Sequence, residues 1–184
     1  MIDDVALITS NEGKAREYTL LLGREIVATS MDLIEIQSLD VVTVAEHKAA
    51  DAYAKLRRPV LVDDSGLAVT AWNGLPGALS AHFLGAVGIP GLLAMAAGLP
   101  DRGASITTAI GYADATGVHV VAGTVHGTLT SVPRGSNGHS FDTVFIPAGG
   151  TQTFAEMPTE RKNAISPRRR ATDALRTHLT LARS

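Results

Sequence analysis

Leu61-Val62-Asp63-Asp64-Ser65-Gly66-Leu67 is the stretch from which the rest of the chain is read. The apolar run Val60 to Val62, opened by Pro59, has the pattern of a buried strand. It runs into two adjacent carboxylates and then a Ser-Gly pair, which reads as a turn. Neighbouring like charges repel, and a cation or a substrate proton is what offsets them best. Strand ends followed by glycine turns are also where α/β folds place their chemistry. A metal or acid–base role and an ordinary solvated turn both fit the seven residues taken alone.

Upstream, Val5 to Thr9 reads as a short strand ending in Ser10-Asn11, both good helix N-caps. A helix from Glu12 to Leu22 follows, with Ala15, Tyr18, Leu21 and Leu22 on one face. Glu25 to Ala28 reads as a strand, Met31 to Glu35 as a turn or strand, and the Ala-rich Val44 to Leu56 as a helix. Downstream, the glycine-punctuated connection Gly74-Leu75-Pro76-Gly77 leads to helices over 81–84 and 89–97. From Ser105 the period changes to two, giving long strands over 106–112 and 118–129 joined at Asp114 to Gly117. A short strand over 144–147 and a last helix from Ser166, with Pro167 in its first position, complete the pattern. Early alternation of helix and strand with a late hairpin predicts an α/β fold with a mixed sheet.

The 184 residues suit a single domain, spanning 1–184, with a substantial core. A net charge of −2 gives no electrostatic footprint for nucleic acid. Zero cysteines exclude disulfides and thiolate metal sites, as expected of a reducing cytoplasm. Met1-Ile2-Asp3-Asp4 lacks the basic segment of a signal peptide. No apolar run is long enough to span a bilayer, so no membrane partner is expected.

Thr9-Ser10-Asn11-Glu12-Gly13-Lys14 joins a strand end, a small polar loop and a helix start with a lysine in the first turn. Amides, hydroxyls and an ammonium at that place suit phosphate oxygens, although an ordinary cap with an exposed lysine has the same pattern. It is not a Walker loop. Asp32 and Glu35 are further acids that could join Asp63-Asp64 around a hard divalent cation, and a surface loop would explain Asp32 equally well. His82, His119, His126 and His139 show no metal-ligand spacing, and His119 and His126 are expected to face solvent.

In order and spacing these segments resemble the inosine triphosphate pyrophosphatase family. The likeness is carried by Thr9 to Lys14, Leu61 to Leu67, Gly74 to Ser80, and Phe154-Ala155-Glu156-Met157 through Lys162-Asn163-Ala164-Ile165-Ser166, and it covers nearly the whole chain. The resemblance implies an elongated mixed β-sheet flanked by helices, with two lobes around a central nucleotide cleft. It implies hydrolysis of inosine- or xanthosine-type (deoxy)nucleoside triphosphates to monophosphate and pyrophosphate, and a homodimer. Thr9, Ser10, Asn11, Glu12, Gly13 and Lys14 would hold the triphosphate, Lys14 as catalytic cation, and Glu35 and Asp64 would ligate Mg²⁺. Asp64 would accept the proton of the attacking water and Ser65 would touch substrate. His139, Ser140, Phe141, Asp142, Lys162 and Arg168 would line the nucleoside end.

The base-recognition half departs from the family pattern. Phe-Gly-Tyr/Trp-Asp-Pro is here His139-Ser140-Phe141-Asp142-Thr143, and Ser-His-Arg is Ser166-Pro167-Arg168. Proline removes both a side-chain donor and a backbone N–H, so altered base selectivity is expected. Other readings are the same scaffold serving a specialised nucleotide pathway, a non-catalytic nucleotide-binding protein, and a metal-dependent phosphatase.

Overall fold

The computed structural model describes residues 5–138 and 140–181; His139 and the acidic start therefore lie outside the described residues. The elements run β1 (Ala6–Ile8), α1 (Glu12–Leu22), β2 (Ala28–Thr29), α2 (Val41–Leu56), β3 (Val60–Val69), β4 (Pro76–Gly77), α3 (Ser80–Ala96), β5 (Gly103–Asp114), β6 (Gly117–Leu129), β7 (Phe145–Pro147), α4 (Thr159–Ile165) and α5 (Pro167–Leu181). The strands form one mixed sheet in the order β2-β1-β3-β5-β6-β7, with β4 on the edge of β3. β1 runs parallel to both β2 and β3, while β3, β5, β6 and β7 are antiparallel.

Long strands run through two lobes, each with its own core packing. At one end α2 covers one face, packing Ala49 and Ala52 on Val60, Val62 and Ala113. α1 and α5 cover the other face, where Tyr18, Ala171 and Leu175 meet Leu61 and Ile110. Beyond Leu67 the same strands enter a second lobe, where Leu67, Ile106, Val125 and Leu129 pack with Leu92, Phe145, Phe154 and Met157. The expected mixed α/β fold with two lobes is what the chain adopts.

Several local expectations shift for physical reasons. Ser65-Gly66 is not a turn: β3 continues to Val69, because β5 pairs with it without a break from Val60↔Ala113 to Val69↔Ala104. Gly66 instead marks a close backbone approach, since an added Cβ would run into the carbonyl oxygen of Gly77 on β4. α2 begins at Val41 rather than Val44, because the Asp40 carboxylate accepts from the amides of Val42 and Thr43. The strand expected over Glu25 to Ala28 shrinks to Ala28–Thr29, because β1 offers only Leu7 and Ile8 as partners. The two helices expected over 81–84 and 89–97 are present within α3, separated at Gly88, whose backbone (φ 65°, ψ −179°) is not helical.

The arrangement around β3 makes the cleft. β1 pairs with β3 only at Val60 and Leu61, and β4 only at Leu67 and Ala68. Among the described residues no strand pairs with that edge of β3 between them, where Asp63, Asp64 and Ser65 lie. Side chains alternate along a strand, so Asp63 faces α1 and α5 while Asp64 faces α2. At an unpaired edge, groups from both faces still border the same opening.

Candidate active site

The loop after β1 delivers the start of α1 to this opening. The Thr9 hydroxyl accepts from the Asn11 amide and the Asn11 side chain accepts from the Lys14 amide, both at 3.1 Å. The amides of Glu12 and Gly13 have no acceptor among the described residues, so they remain available to an anion. The Glu12 side chain belongs to the surface, paired with Arg16 at 3.3 Å and 88% exposed, so only its backbone serves such a cradle. Ser10 is exposed.

Lys14 and Tyr18 stand on the inward face of α1 and both reach Asp63. The Lys14 ammonium is 2.5 Å from Asp63 Oδ1, Arg168 Nε donates to Oδ2 at 2.8 Å, and the Tyr18 hydroxyl lies 3.4 Å from Oδ2. Burial works against the Asp63 charge, but Lys14 and Arg168 outweigh it and hold the carboxyl well below the usual carboxylate range. Arg168 also pairs with Glu17. Burial opposes the charge of Arg168 too, and Asp63 and Glu17 overcome it, so the guanidinium stays ionised. The Tyr18 phenol is raised well above its ordinary value, first by burial and then by Asp63.

On the α2 face, the Lys48 ammonium bridges Glu35 Oε1 at 2.7 Å and Asp64 Oδ1 at 3.4 Å. Asp64 Oδ2 is buried with no hydrogen-bond partner. Burial pushes the Asp64 carboxyl up to about 6, with the Lys48 and Lys14 charges pulling against it. Lys48 holds Glu35 below the ordinary value, chiefly by its hydrogen bond. Burial lowers the Lys48 ammonium, yet its bonds to Glu35 and the Asp64 charge leave it raised overall. The Lys14 charge acts on both Asp64 and Glu35, so the two faces of β3 share one electrostatic field.

Asp64 and Glu35 open into a cavity of about 1230 Å³ whose far wall is apolar, with Trp72, Leu75, Leu79 and Phe83. Ser65, Phe141, Asp142, Lys162 and Arg168 gather around a much smaller space of about 40 Å³, also bordered by Glu17. Asn11, Gly13, Glu17 and Lys162 line a third hollow of about 660 Å³. Ser65 is paired with Thr108 at 2.8 Å, and Lys162 with Asp142 at 2.7 Å. Phe141 is both a cavity wall and a packing partner of the second-lobe core. Ser140 is exposed at the start of a short 3-10 turn. Asp32 stays outside the site, its carbonyl taken by Lys55. His126 faces solvent, but His119 is half-buried against His178 of α5, with ring centroids 4.5 Å apart.

Lys48 and Glu17 escaped the sequence reading, and a signal for Lys48 existed. It lies four residues from both Val44 and Ala52, which are buried, so it sits on the sheet-facing stripe of α2. A lysine on a buried stripe needs an acidic partner.

No set of three His, Cys, Asp or Glu side chains converges as a ready-made metal cage among the described residues. A hard cation such as Mg²⁺ does not need one, because substrate phosphates and water complete its shell. Glu35, Asp64 and the unpartnered Asp64 oxygen fit that mode of binding. No helix among the described residues is long and apolar enough to cross a membrane.

Fold and site together define a mixed-sheet α/β protein whose cleft sets lysines and a helix N-terminus against the carboxylates of Glu35, Asp63 and Asp64. The chain belongs to the Ham1 family, whose model matches residues 5–178. It is 41% identical over 170 residues to a dITP/XTP pyrophosphatase of Thermococcus kodakarensis, covering 91% of this chain and 92% of that protein. It is 39% identical to an inosine triphosphate pyrophosphatase 2 of Trypanosoma cruzi over 181 residues, 96% of this chain and 92% of the relative. The solved structure of a HAM1 protein from Coxiella burnetii superposes with a TM-score of 0.84 at 31% identity, covering 96% of this chain and 98% of that one.

Proposed function

We propose that this protein hydrolyses inosine- or xanthosine-type, or modified purine, (deoxy)nucleoside triphosphates to the monophosphate and pyrophosphate. The observation that carries the reading is Asp64: a half-buried carboxyl with one oxygen unpartnered, 3.4 Å from the Lys48 ammonium at the unpaired edge of β3. An oxygen so placed is free to orient a water molecule and take its proton. Thr9, Ser10, Asn11, the amides of Glu12 and Gly13, and Lys14 hold the triphosphate. Lys14 keeps a positive charge against the phosphate oxygens, where charge builds as the bond breaks. Water adds to the innermost phosphorus, its proton passes to Asp64, and the bond to the bridging oxygen breaks. The outer two phosphates leave together, because they are the ones held.

Glu35 and Asp64 would hold the metal, taken to be Mg²⁺, which neutralises phosphate charge when bound. Ser65, Phe141, Asp142, Lys162 and Arg168, with Ser140, form the nucleoside end. The space of about 40 Å³ there suits water rather than a purine, so Phe141 or the Lys162–Asp142 pair must shift to admit a base. The protein works as one domain, as a homodimer in the cytoplasm.

A nucleotide panel with Mg²⁺, scored for pyrophosphate against orthophosphate, tests the proposal. Pyrophosphate and monophosphate are expected in equal amounts, and Asp64→Asn should bind nucleotide but not turn it over. Release of orthophosphate, or an Asp64→Asn variant of normal rate, would overturn the assignment.

A further inference from the structure

Accepting Glu35 and Asp64 as metal ligands, we infer that Lys48 is a stand-in for the metal. In the metal-free protein its ammonium occupies the place between the two carboxylates, and the cation binds by displacing it towards the substrate phosphates. Lys48 is thus a positioning residue with two stations.

The ammonium lies 2.7 Å from Glu35 Oε1 and 3.4 Å from Asp64 Oδ1, and its side chain is only 14% exposed. Asp64 is 15% exposed, so without a counter-charge the two acids would repel across a partly desolvated gap. Lys48 therefore keeps the ligands together before metal arrives. The backbone that carries it is fixed, because Ala45, Ala49 and Ala52 of α2 are fully buried against the sheet. Only the side chain is free to move.

Sharing the site is not possible. A divalent ion binds oxygen at about 2.1 Å and would bring a second positive charge against the ammonium at the same oxygens. Once displaced, a four-carbon stem with three donors needs a new anion, and a bound polyphosphate supplies it. Lys14 differs, since its partner Asp63 is also held by Arg168 and stays neutralised when Lys14 turns away.

Two measurements on the intact protein test this with Mn²⁺ alone as probe. In titrations followed by electron paramagnetic resonance, Lys48→Met should bind Mn²⁺ at least about tenfold more tightly than wild type. Lys55→Met is the control: its lysine lies on the same helix but pairs with Asp51 and the Asp32 carbonyl, and its affinity should be unchanged. In the wild-type protein, Mn²⁺ should raise acetylation of Lys48 by acetic anhydride, read by mass spectrometry, and leave Lys55 unaltered. The second measurement needs no variant, so it stands even if Lys48→Met fails to fold. Equal Mn²⁺ affinity in wild type and Lys48→Met, or unchanged Lys48 labelling with Mn²⁺ bound, overturns the inference alone. Failure of all forms to bind Mn²⁺ overturns the metal-ligand reading, and this inference with it.

Discussion

The Lys14 ammonium rests on Asp63, 2.5 Å from Oδ1, and not on the adjacent Asp64. Two aspartates that are neighbours in sequence therefore have opposite electrostatic lives. Asp63 is neutralised by Lys14 and Arg168 and held strongly acidic, while Asp64 is raised by burial to about 6. Asp63 organises cations, and Asp64 keeps the free oxygen that the proposed chemistry needs. Asp63 also joins Lys14, the proposed phosphate cation, to Arg168, proposed at the nucleoside end, so on that proposal both ends of a substrate would depend on one buried carboxylate.

Replacing Asp63 with Ala should therefore be severe. It leaves the buried Arg168 and Lys14 short of a counter-charge, a loss of about 3–5 kcal/mol for a broken buried pair. Because the folded pKa of Asp63 is depressed, its stabilisation is fully present above the unfolded value and is lost as pH falls towards the folded one. Urea denaturation from neutral to acid pH should show a wild-type stability that drops on acidification, and a flatter profile in the variant. A variant as stable as wild type would refute this role.

Asp64 should behave in the reverse sense when no metal is present. Its folded pKa is raised from 3.8 to about 6, so the folded state holds the proton more tightly. Its contribution to stability is present below the unfolded value and is lost as pH rises through about 6. Carbon-13 NMR of the carboxyl should give a midpoint near 6 in metal-free protein, moving to lower pH when Mg²⁺ is added. A midpoint near 4 without metal would count against the burial argument.

Gly123 on β6 should be intolerant of a side chain. An added Cβ would meet the Pro167 carbonyl oxygen and lie 2.5 Å from the Ala171 amide, so α5 must lift away. The first turn of α5 carries Arg168. Gly123→Ala is expected to cost about 1–3 kcal/mol by overpacking and to reduce kcat/KM as well. Thermal melts and nucleotide kinetics would reveal either outcome, and an unchanged variant would show that α5 has slack.

Pro167 should influence base choice. Arg168 is committed to Asp63 and Glu17, and Pro167 offers no N–H to a base. Pro167→His restores a donor, so the ratio of kcat/KM for ITP over ATP should rise by about tenfold, the value of one well-placed hydrogen bond. An unchanged ratio would remove position 167 from the recognition surface.

Local patterns carried much of this fold. The Asn11 cap with the Glu12–Leu22 helix, the 3.6-residue stripe of α2, the period of two in β5 and β6, and Pro167 opening α5 each depend on neighbours a few residues apart. Such signals are local because helix caps, helical faces and hairpin turns are closed by short-range bonds. The acid pair and the lysine-bearing loop were visible for the same reason.

The cleft itself was settled by distant pairings that leave no local trace. Ser65-Gly66 looks like a turn until β5, some forty residues later, pairs across it and the Gly77 backbone passes over it. The stripe of α2 turns Lys48 towards the sheet, but only the packing of α2 beside β3 says that Glu35 and Asp64 are its partners. Arg168 is the first of three consecutive arginines, and nothing local says that it is the one to meet Asp63, 105 positions away in sequence, until α5 is packed. Burial and charge pairing belong to the assembled molecule: a carboxylate acquires its proton affinity from the surfaces that close over it, and sequence order alone does not say which those are.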